Sequence, residues 1–325
     1  MYNLAKFLKN INSRSVSFQG SCRFNEPMAD HTSFRTGGPA GLWIRPEGGC
    51  FPEYAALLLE SAQNEGIPLF IMGGGANIVV SDSGIDGIIL DTTGYSDNSE
   101  EAGGGPTLTT LPPTPSSPGL CFKAGTSVDY AADYAAAHGL SGMEFLAGMP
   151  GSIGGALWMN ARCYEREMAD IAGEVQLLEG GEVISVAPKK EEFGYKKSPF
   201  QKRACLILNA SFALQEKDPV IIKAEMEGHK ADREAKGHYR FPSAGSVFKN
   251  NRAFGKPTGK IIDELGLKGL SVGDAQIAPW HGNMIINKGK ALSSDIETLV
   301  KLIERRVKEQ LGFGLEREII FIGNL

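Results

Sequence analysis

Apolar residues recur along this chain with two different periods, and the periods sort it into helices and strands. Near the N-terminus Leu4, Phe7, Leu8 and Ile11 fall at helical spacing among lysines. Residues 42–46 read as a short strand, and residues 54–63 have the alanine and leucine content of a helix. Residues 67–71 (Ile-Pro-Leu-Phe-Ile) form an apolar run that reads as a buried strand. A second run, Ile78, Val79 and Val80, follows closely, and residues 87–90 give a third. Residues 92–119 differ: they hold three consecutive glycines and a proline-rich run with little apolar material, and are expected to be a flexible surface insertion.

Order is predicted to return at residues 120–124. An alanine-rich helix over 128–138 follows, ended by Gly139. Strands are predicted at 173–178, 183–186 and 206–214, and a Lys-, Glu- and Ala-rich helix from Asp218. Residues 294–297 (Ser-Asp-Ile-Glu) read as a capping box. Behind it Ile296, Leu299, Val300, Ile303, Val307 and Leu311 keep the helical period until Gly312, and residues 319–322 close as a strand. Helices and strands mix without regular βαβ alternation, which argues for an α+β fold.

Length and composition narrow the class. The 325 residues suffice for two or three domains with real cores, and 42% hydrophobic with 22% charged residues is ordinary for a globular protein. A net charge of -5 gives no broad basic surface for nucleic acid. No apolar run is long enough to span a bilayer, and the N-terminus lacks the continuous apolar core of a signal peptide. Five cysteines without metal-ligand spacing fit free thiols in a reducing compartment, so a cytoplasmic location is expected. The five histidines do not cluster at ligand spacing, and no metal site is expected.

Two glycine-rich stretches carry the chemistry. One is Gly73, Gly74, Gly75, Ala76 and Asn77; the other runs through Gly148, Pro150, Gly151, Ser152, Ile153 and Gly154. Without Cβ atoms, glycine amides can line a concave surface that binds phosphate, and two such loops suit a large phosphate-bearing cofactor gripped from both sides. Either loop alone reads equally well as a turn. The first connects strand to strand, so it is not the strand-to-helix loop of a Rossmann dinucleotide fold. Three later segments can act in a cleft or be plain surface. Ser246 sits in a small-residue turn, Lys196 and Lys197 lie between aromatics, and Glu316 and Glu318 share one face of a strand edge. No nucleophile elbow is present.

Taken in order, these segments resemble the UDP-N-acetylenolpyruvoylglucosamine reductases, flavoenzymes of bacterial cell-wall synthesis. The resemblance rests on His31, Thr32, Ser33 and Phe34 with Gly37, Gly38, Pro39 and Ala40, on both glycine loops, on Ala244 to Asn250, and on Leu315 to Glu318 with Ile322 and Gly323. It leaves out residues 92–119. It implies an FAD-binding fold of the vanillyl-alcohol-oxidase type with two α+β subdomains, residues 1–91 and 92–217, and a C-terminal α+β substrate domain, residues 218–325. It also implies the shorter subtype, because residues 202–205 are too brief for the loop whose tyrosine covers the substrate.

The resemblance implies FAD held by the two glycine loops and NADPH as reductant. It implies a UDP-sugar enolpyruvate substrate and a monomeric enzyme. Hydride reaches the terminal methylene of the enolpyruvyl group by way of the flavin. Lys196 and a protonated Glu318 steady the developing anion, and Ser246 delivers a proton to the adjacent carbon. Tyr164, Asn250, Gln276 and Asn283 are expected to contact substrate. Four positions depart from the family pattern: Lys196 replaces an arginine, Arg162 a glycine, Asn251 a proline, and Gly237 with His238 a Gln-Pro pair. Lysine keeps the charge and loses the bidentate fork, and Arg162 is a neighbour able to contribute one. Two alternatives stay open: another FAD-dependent oxidoreductase on the same fold, and a non-catalytic flavin- or nucleotide-sugar-binding module.

Overall fold

A computed structural model describes residues 2–14, 16–97, 106–111 and 117–323. The backbone separates into two units. One comprises Met1–Phe24, Leu42–Gly74 and Gly87–Ala231; the other comprises Asn25–Gly41, Gly75–Asp86 and Asp232–Leu325.

In the first unit the N-terminal periodicity closes into the helix Leu4–Asn12, which buries Leu4, Phe7 and Ile11; Asn3 caps it by accepting from the Lys6 amide at 3.0 Å. That face packs with Phe51, Tyr54 and Leu58 of the helix Phe51–Asn64 and with Ile88 and Leu90. The four-stranded sheet runs in the order Gly20–Pro27, Pro39–Pro46, Ile85–Asp91, Leu69–Met72, and its last pair is parallel with Leu69 opposite Ile88. The expectation of a buried strand at residues 67–71 is corrected here. Leu69–Met72 is an edge strand with no further strand beside it among the described residues, and Ile71 is 41% exposed.

A second sheet of five antiparallel strands has the order Glu182–Val186, Ala172–Glu179, Cys205–Ala213, Ser117–Lys123, Thr107–Leu111. One of these strands, Thr107–Leu111, falls within the expected surface insertion, and Ser117–Lys123 begins in its last three residues and continues into the segment where order was predicted to return. Thr107 pairs with Cys121 and Leu111 with Ser117, because backbone pairing at a sheet edge needs no apolar side chains. Residues 98–105 and 112–116 of that expectation lie outside the described residues. The helix Val128–Ala137 packs with this sheet's core through Val128, Ala131, Ala132, Ala135 and Ala136, small side chains that let a helix approach closely.

The second unit is built on the helix Ser293–Leu311. Its buried Ile296, Leu299, Val300, Ile303 and Val307 join Ala275, Ile277 and Ile285 of a three-stranded antiparallel sheet. Each such aliphatic side chain contributes about 1.5–3 kcal/mol by leaving water. Gly312 ends the helix at φ 81°. The expected capping box is displaced. The helix starts at Ser293, the Asp295 carboxylate accepts from the Leu292 amide, and Asp82 accepts from the amides of Ser293 and Ser294 at 2.7 and 2.9 Å. First-turn amides seek whichever carboxylate the tertiary fold brings to them. The strand Ile320–Ile322 pairs in parallel with Ile78–Val80.

Candidate active site

Within the first unit the two glycine loops touch backbone to backbone. A Cβ on Gly73 would lie 2.2 Å from Ser152 Oγ, and one on Gly74 would lie 2.9 Å from Gly151 Cα. At Gly74, where the close atoms are main chain, glycine is therefore a packing requirement, while at Gly73 a Cβ would have to displace the Ser152 hydroxyl. Ser152 is buried, and its Oγ accepts from the Gly155 amide at 3.4 Å, capping the short helix Ile153–Trp158. Ile153 and Gly154 donate to Thr126 and Ala124, and Gly148 donates to the Asp129 carboxylate at 2.6 Å. Pro150 is exposed. Among the described residues the amides of Gly74 and Ser152 meet no protein acceptor. A pair of glycine-rich loops with two amides left unspent fits the pyrophosphate of a dinucleotide.

The rest of the first loop belongs to the second unit. Gly75 O accepts from the Ser33 amide, and Ala76 O from Ser33 Oγ. Asn77 has a structural occupation that its sequence context does not reveal. Its Nδ2 donates to Glu318 O at 3.0 Å, and its own carbonyl accepts from the Ile320 amide at 2.9 Å.

Ser246, Asn250 and Asn283 line one pocket of about 380 Å³ in the second unit, with Lys260, Asp263, Lys268, Trp280 and His281 around them. Ser246 is half-buried. Its neighbour Val247 ties it to the acid segment: the Val247 carbonyl accepts from the Glu318 amide at 2.8 Å, and Phe248 bridges Arg317. Arg317 is itself fixed by a two-pronged contact with Glu304 at 2.6 and 2.7 Å. Lys249 pairs with Glu316 at 2.6 Å. Ser246 and Glu318 are thus brought onto adjacent backbone segments. Gln276 is not among the residues lining the pocket; its Nε2 donates to Gly269 O.

Sequence reading missed the pocket's basic and aromatic members. Lys268 pairs with Asp263 at 2.9 Å. Trp280 Nε1 and His281 Nδ1 are buried without a hydrogen-bond partner among the described residues. Burial, more than the nearby Lys236 and Lys268, pulls the His281 pKa down, so the ring is neutral near pH 7. Two lysines and polar side chains lining one concavity suit a polar, anionic ligand. The segment holding His281, Gly282 and Asn283 was visible in the sequence; which of its atoms would be left unpaired was not.

Lys196 and Tyr164 lie in the first unit, and both adopt left-handed backbone, at φ 55° and 51°. Non-glycine residues hold that conformation where surrounding contacts over-determine it. Around Lys196 these are the reciprocal Gly194–Lys197 bonds at 3.0 Å, Asn160 Nδ2 to Gly194 O at 2.9 Å, and Gln201 Nε2 to Lys196 O at 3.3 Å. Tyr164 stacks on His229 with centroids 3.8 Å apart and donates its hydroxyl to His229 O. Arg162 lies over the Tyr195 ring at 5.7 Å and pairs with Glu165. Among the described residues no group of His, Cys, Asp and Glu could hold a metal, and no helix is long and apolar enough to cross a membrane.

Comparison with known proteins gives this geometry its class. A family model described as an FAD binding domain matches residues 53–186, which include both glycine loops. The protein is an FAD-dependent oxidoreductase. A second model, the C-terminal domain of UDP-N-acetylenolpyruvoylglucosamine reductase, matches residues 237–322. Reductases of that name from Treponema pallidum and Treponema denticola are 39% and 37% identical to the chain; the first match covers 93% of each, the second 100% of this chain and 99% of its relative. The crystal structure of UDP-N-acetylenolpyruvylglucosamine reductase from Thermus caldophilus superposes with a TM-score of 0.73 at 30% identity, covering 94% of this chain and all of that one. The chain belongs to the UDP-N-acetylenolpyruvoylglucosamine reductase family.

Proposed function

We infer that this chain reduces the enolpyruvyl ether of UDP-N-acetylglucosamine to UDP-N-acetylmuramate, with NADPH as reductant. Bound FAD supplies the hydride chemistry between them. The glycine loops at 73–77 and 148–154 would hold its pyrophosphate through main-chain amides. As the double bond is reduced, negative charge grows toward the substrate carboxylate. Lys196, on its over-determined turn, and Glu318, in its protonated form, are assigned to that charge. Ser246 is assigned the proton: its O–H bond breaks, the adjacent carbon gains the hydrogen, and the alkoxide is reprotonated from solvent. Tyr164, Asn250 and Gln276 are proposed to contact the substrate. With this reading goes the assignment of residues 1–91 and 92–217 to flavin binding and of 218–325 to the substrate. A monomeric, cytoplasmic enzyme is part of the same proposal; the free thiols of Cys22, Cys50, Cys121 and Cys205 suit a reducing compartment.

The observation that carries the reading is the pocket at Ser246, which a hydroxyl, two lysines and the side chains of Asn250, Trp280 and His281 line together. Ser246→Ala tests it. Flavin reduction by NADPH should proceed at the wild-type rate, while reoxidation by the enolpyruvyl substrate should slow by on the order of a hundred- to ten-thousandfold. Equal rates in both half-reactions would remove Ser246 from the chemistry.

A further inference from the structure

Asn283 is 3% exposed and spends three groups on the residues just after Ser246. Its main-chain carbonyl accepts from the Val247 amide at 3.0 Å. Its Oδ1 accepts from the Phe248 amide at 3.0 Å, and its Nδ2 donates to the Phe248 carbonyl at 2.7 Å. A carboxamide that brackets the N–H and C=O of one residue fixes both the position and the rotation of that backbone. Phe248 is fully buried, so the bracket is anchored in the core. On the opposite side, the Val247 carbonyl accepts from Glu318, and Phe248 bridges Arg317. Residues 246–248 are therefore the middle of three short extended segments, with Asn283 and Met284 on one side and Arg317 and Glu318 on the other.

We propose that Asn283 is a positioning residue for proton delivery, whose side chain locks the 246–248 segment so that the Ser246 hydroxyl keeps a fixed place beside the Glu318 segment. The inference rests on the roles given to Ser246 and Glu318 above. It replaces the expectation that the Asn283 amide serves the substrate, because its oxygen and one N–H are committed to Phe248. Removing the amide leaves two buried main-chain groups unpaired and frees the segment to shift, and a displacement of an ångström at a reacting group costs about a hundredfold in rate.

The chemistry of the clamp gives a readout that general loss of packing does not. In Asn283→Asp the ionised carboxylate can accept from the Phe248 amide but repels its carbonyl. The protonated carboxyl restores the donor, so that variant should recover activity relative to wild type as pH falls. FAD-loaded wild type, Asn283→Ala, Asn283→Asp and Ser246→Ala are compared by anaerobic stopped-flow. Bleaching of the flavin by NADPH is followed first, then its reoxidation by enolpyruvyl-UDP-N-acetylglucosamine. For Asn283→Ala we expect bleaching within about twofold of wild type and reoxidation slower by about a hundredfold. For Asn283→Asp we expect a reoxidation deficit that shrinks between pH 8 and pH 5.5. Wild-type reoxidation by Asn283→Ala beside a crippled Ser246→Ala overturns this inference alone. Wild-type reoxidation by Ser246→Ala overturns the reading beneath it. If Asn283→Ala does not fold, the pH profile of Asn283→Asp decides: a deficit constant with pH refutes the clamp.

Discussion

Gly74→Ala puts the proposed flavin cradle to a quantitative test. Gly74 is not among the residues with positive φ, so alanine meets no backbone strain there and its effect comes from contact alone. The new Cβ would lie 2.9 Å from Gly151 Cα, 3.1 Å from Gly151 C and 3.4 Å from Ser152 N. The closest of these is about half an ångström inside ordinary van der Waals contact. All three atoms are main chain, so no side chain can rotate away, and the two loops must part. Overpacking of this kind costs about 1–3 kcal/mol. Drawn from cofactor binding, that raises the FAD Kd by about 5- to 140-fold. The assay is titration of apoprotein with FAD, followed by quenching of flavin fluorescence, together with the flavin-to-protein absorbance ratio after gel filtration. Gly49→Ala is the control, since a Cβ there meets nothing within 4 Å and φ is not positive. Should Gly74→Ala bind FAD as tightly as Gly49→Ala, the approach of the two loops is not what holds the cofactor.

Two further predictions concern stability and pH. Asp82→Ala removes both carboxylate contacts to the first turn of Ser293–Leu311 and should cost about 1 kcal/mol in urea unfolding. Burial pushes the Asp82 carboxyl up, but hydrogen bonds from Ser294 and Ser293 outweigh it and hold it below the ordinary value. Its contribution is thus present above about pH 4 and fades as pH falls further, so the wild-type advantage should vanish in acid; an advantage constant down to pH 3 refutes the cap. His238 is the opposite case. Burial, then Arg233 and His281, pull its pKa down to about 4, against about 6.5 in the unfolded chain. Between those values the unfolded state takes up a proton that the folded state refuses, so stability should drop as pH falls from 6.5 toward 4. His238→Gln should flatten that slope, read from urea midpoints at pH 7, 6 and 5; an unchanged slope refutes the assignment.

Much of the local structure was legible because it is written at short range. The helix Ser293–Leu311 shows its buried stripe at residues 296, 299, 300, 303 and 307, and Gly312 stops it. Long-range partners were hidden. Nothing near Ser293 indicates that Asp82, 211 residues away, supplies its cap. Leu69–Met72 looked buried because apolar runs carry no mark of sheet order, and its place at an edge is set by Ile85–Asp91 taking the inner position. The strand Thr107–Leu111, inside residues 92–119, was missed for the converse reason: its pairing is carried by the backbone, which composition does not report. At the site, glycine chemistry pointed to loops that do meet, while the commitments of Asn77 to Glu318 and of Asn283 to Phe248 depend on neighbours 241 and 35 positions distant.

The parallel pairing of Ile320–Ile322 with Ile78–Val80 also sets a timetable. Val79 and Val80 are fully buried in the finished fold, yet this partner strand is translated some 240 codons after them. Until residue 322 has left the ribosome, a nascent chain carries Ile78–Val80 without its parallel partner and an Asn77 side chain without the Glu318 carbonyl that it bonds. The Glu318 segment therefore docks onto residues made long before it, and a polypeptide arrested or nicked ahead of it would leave Val79 and Val80 without their partner strand.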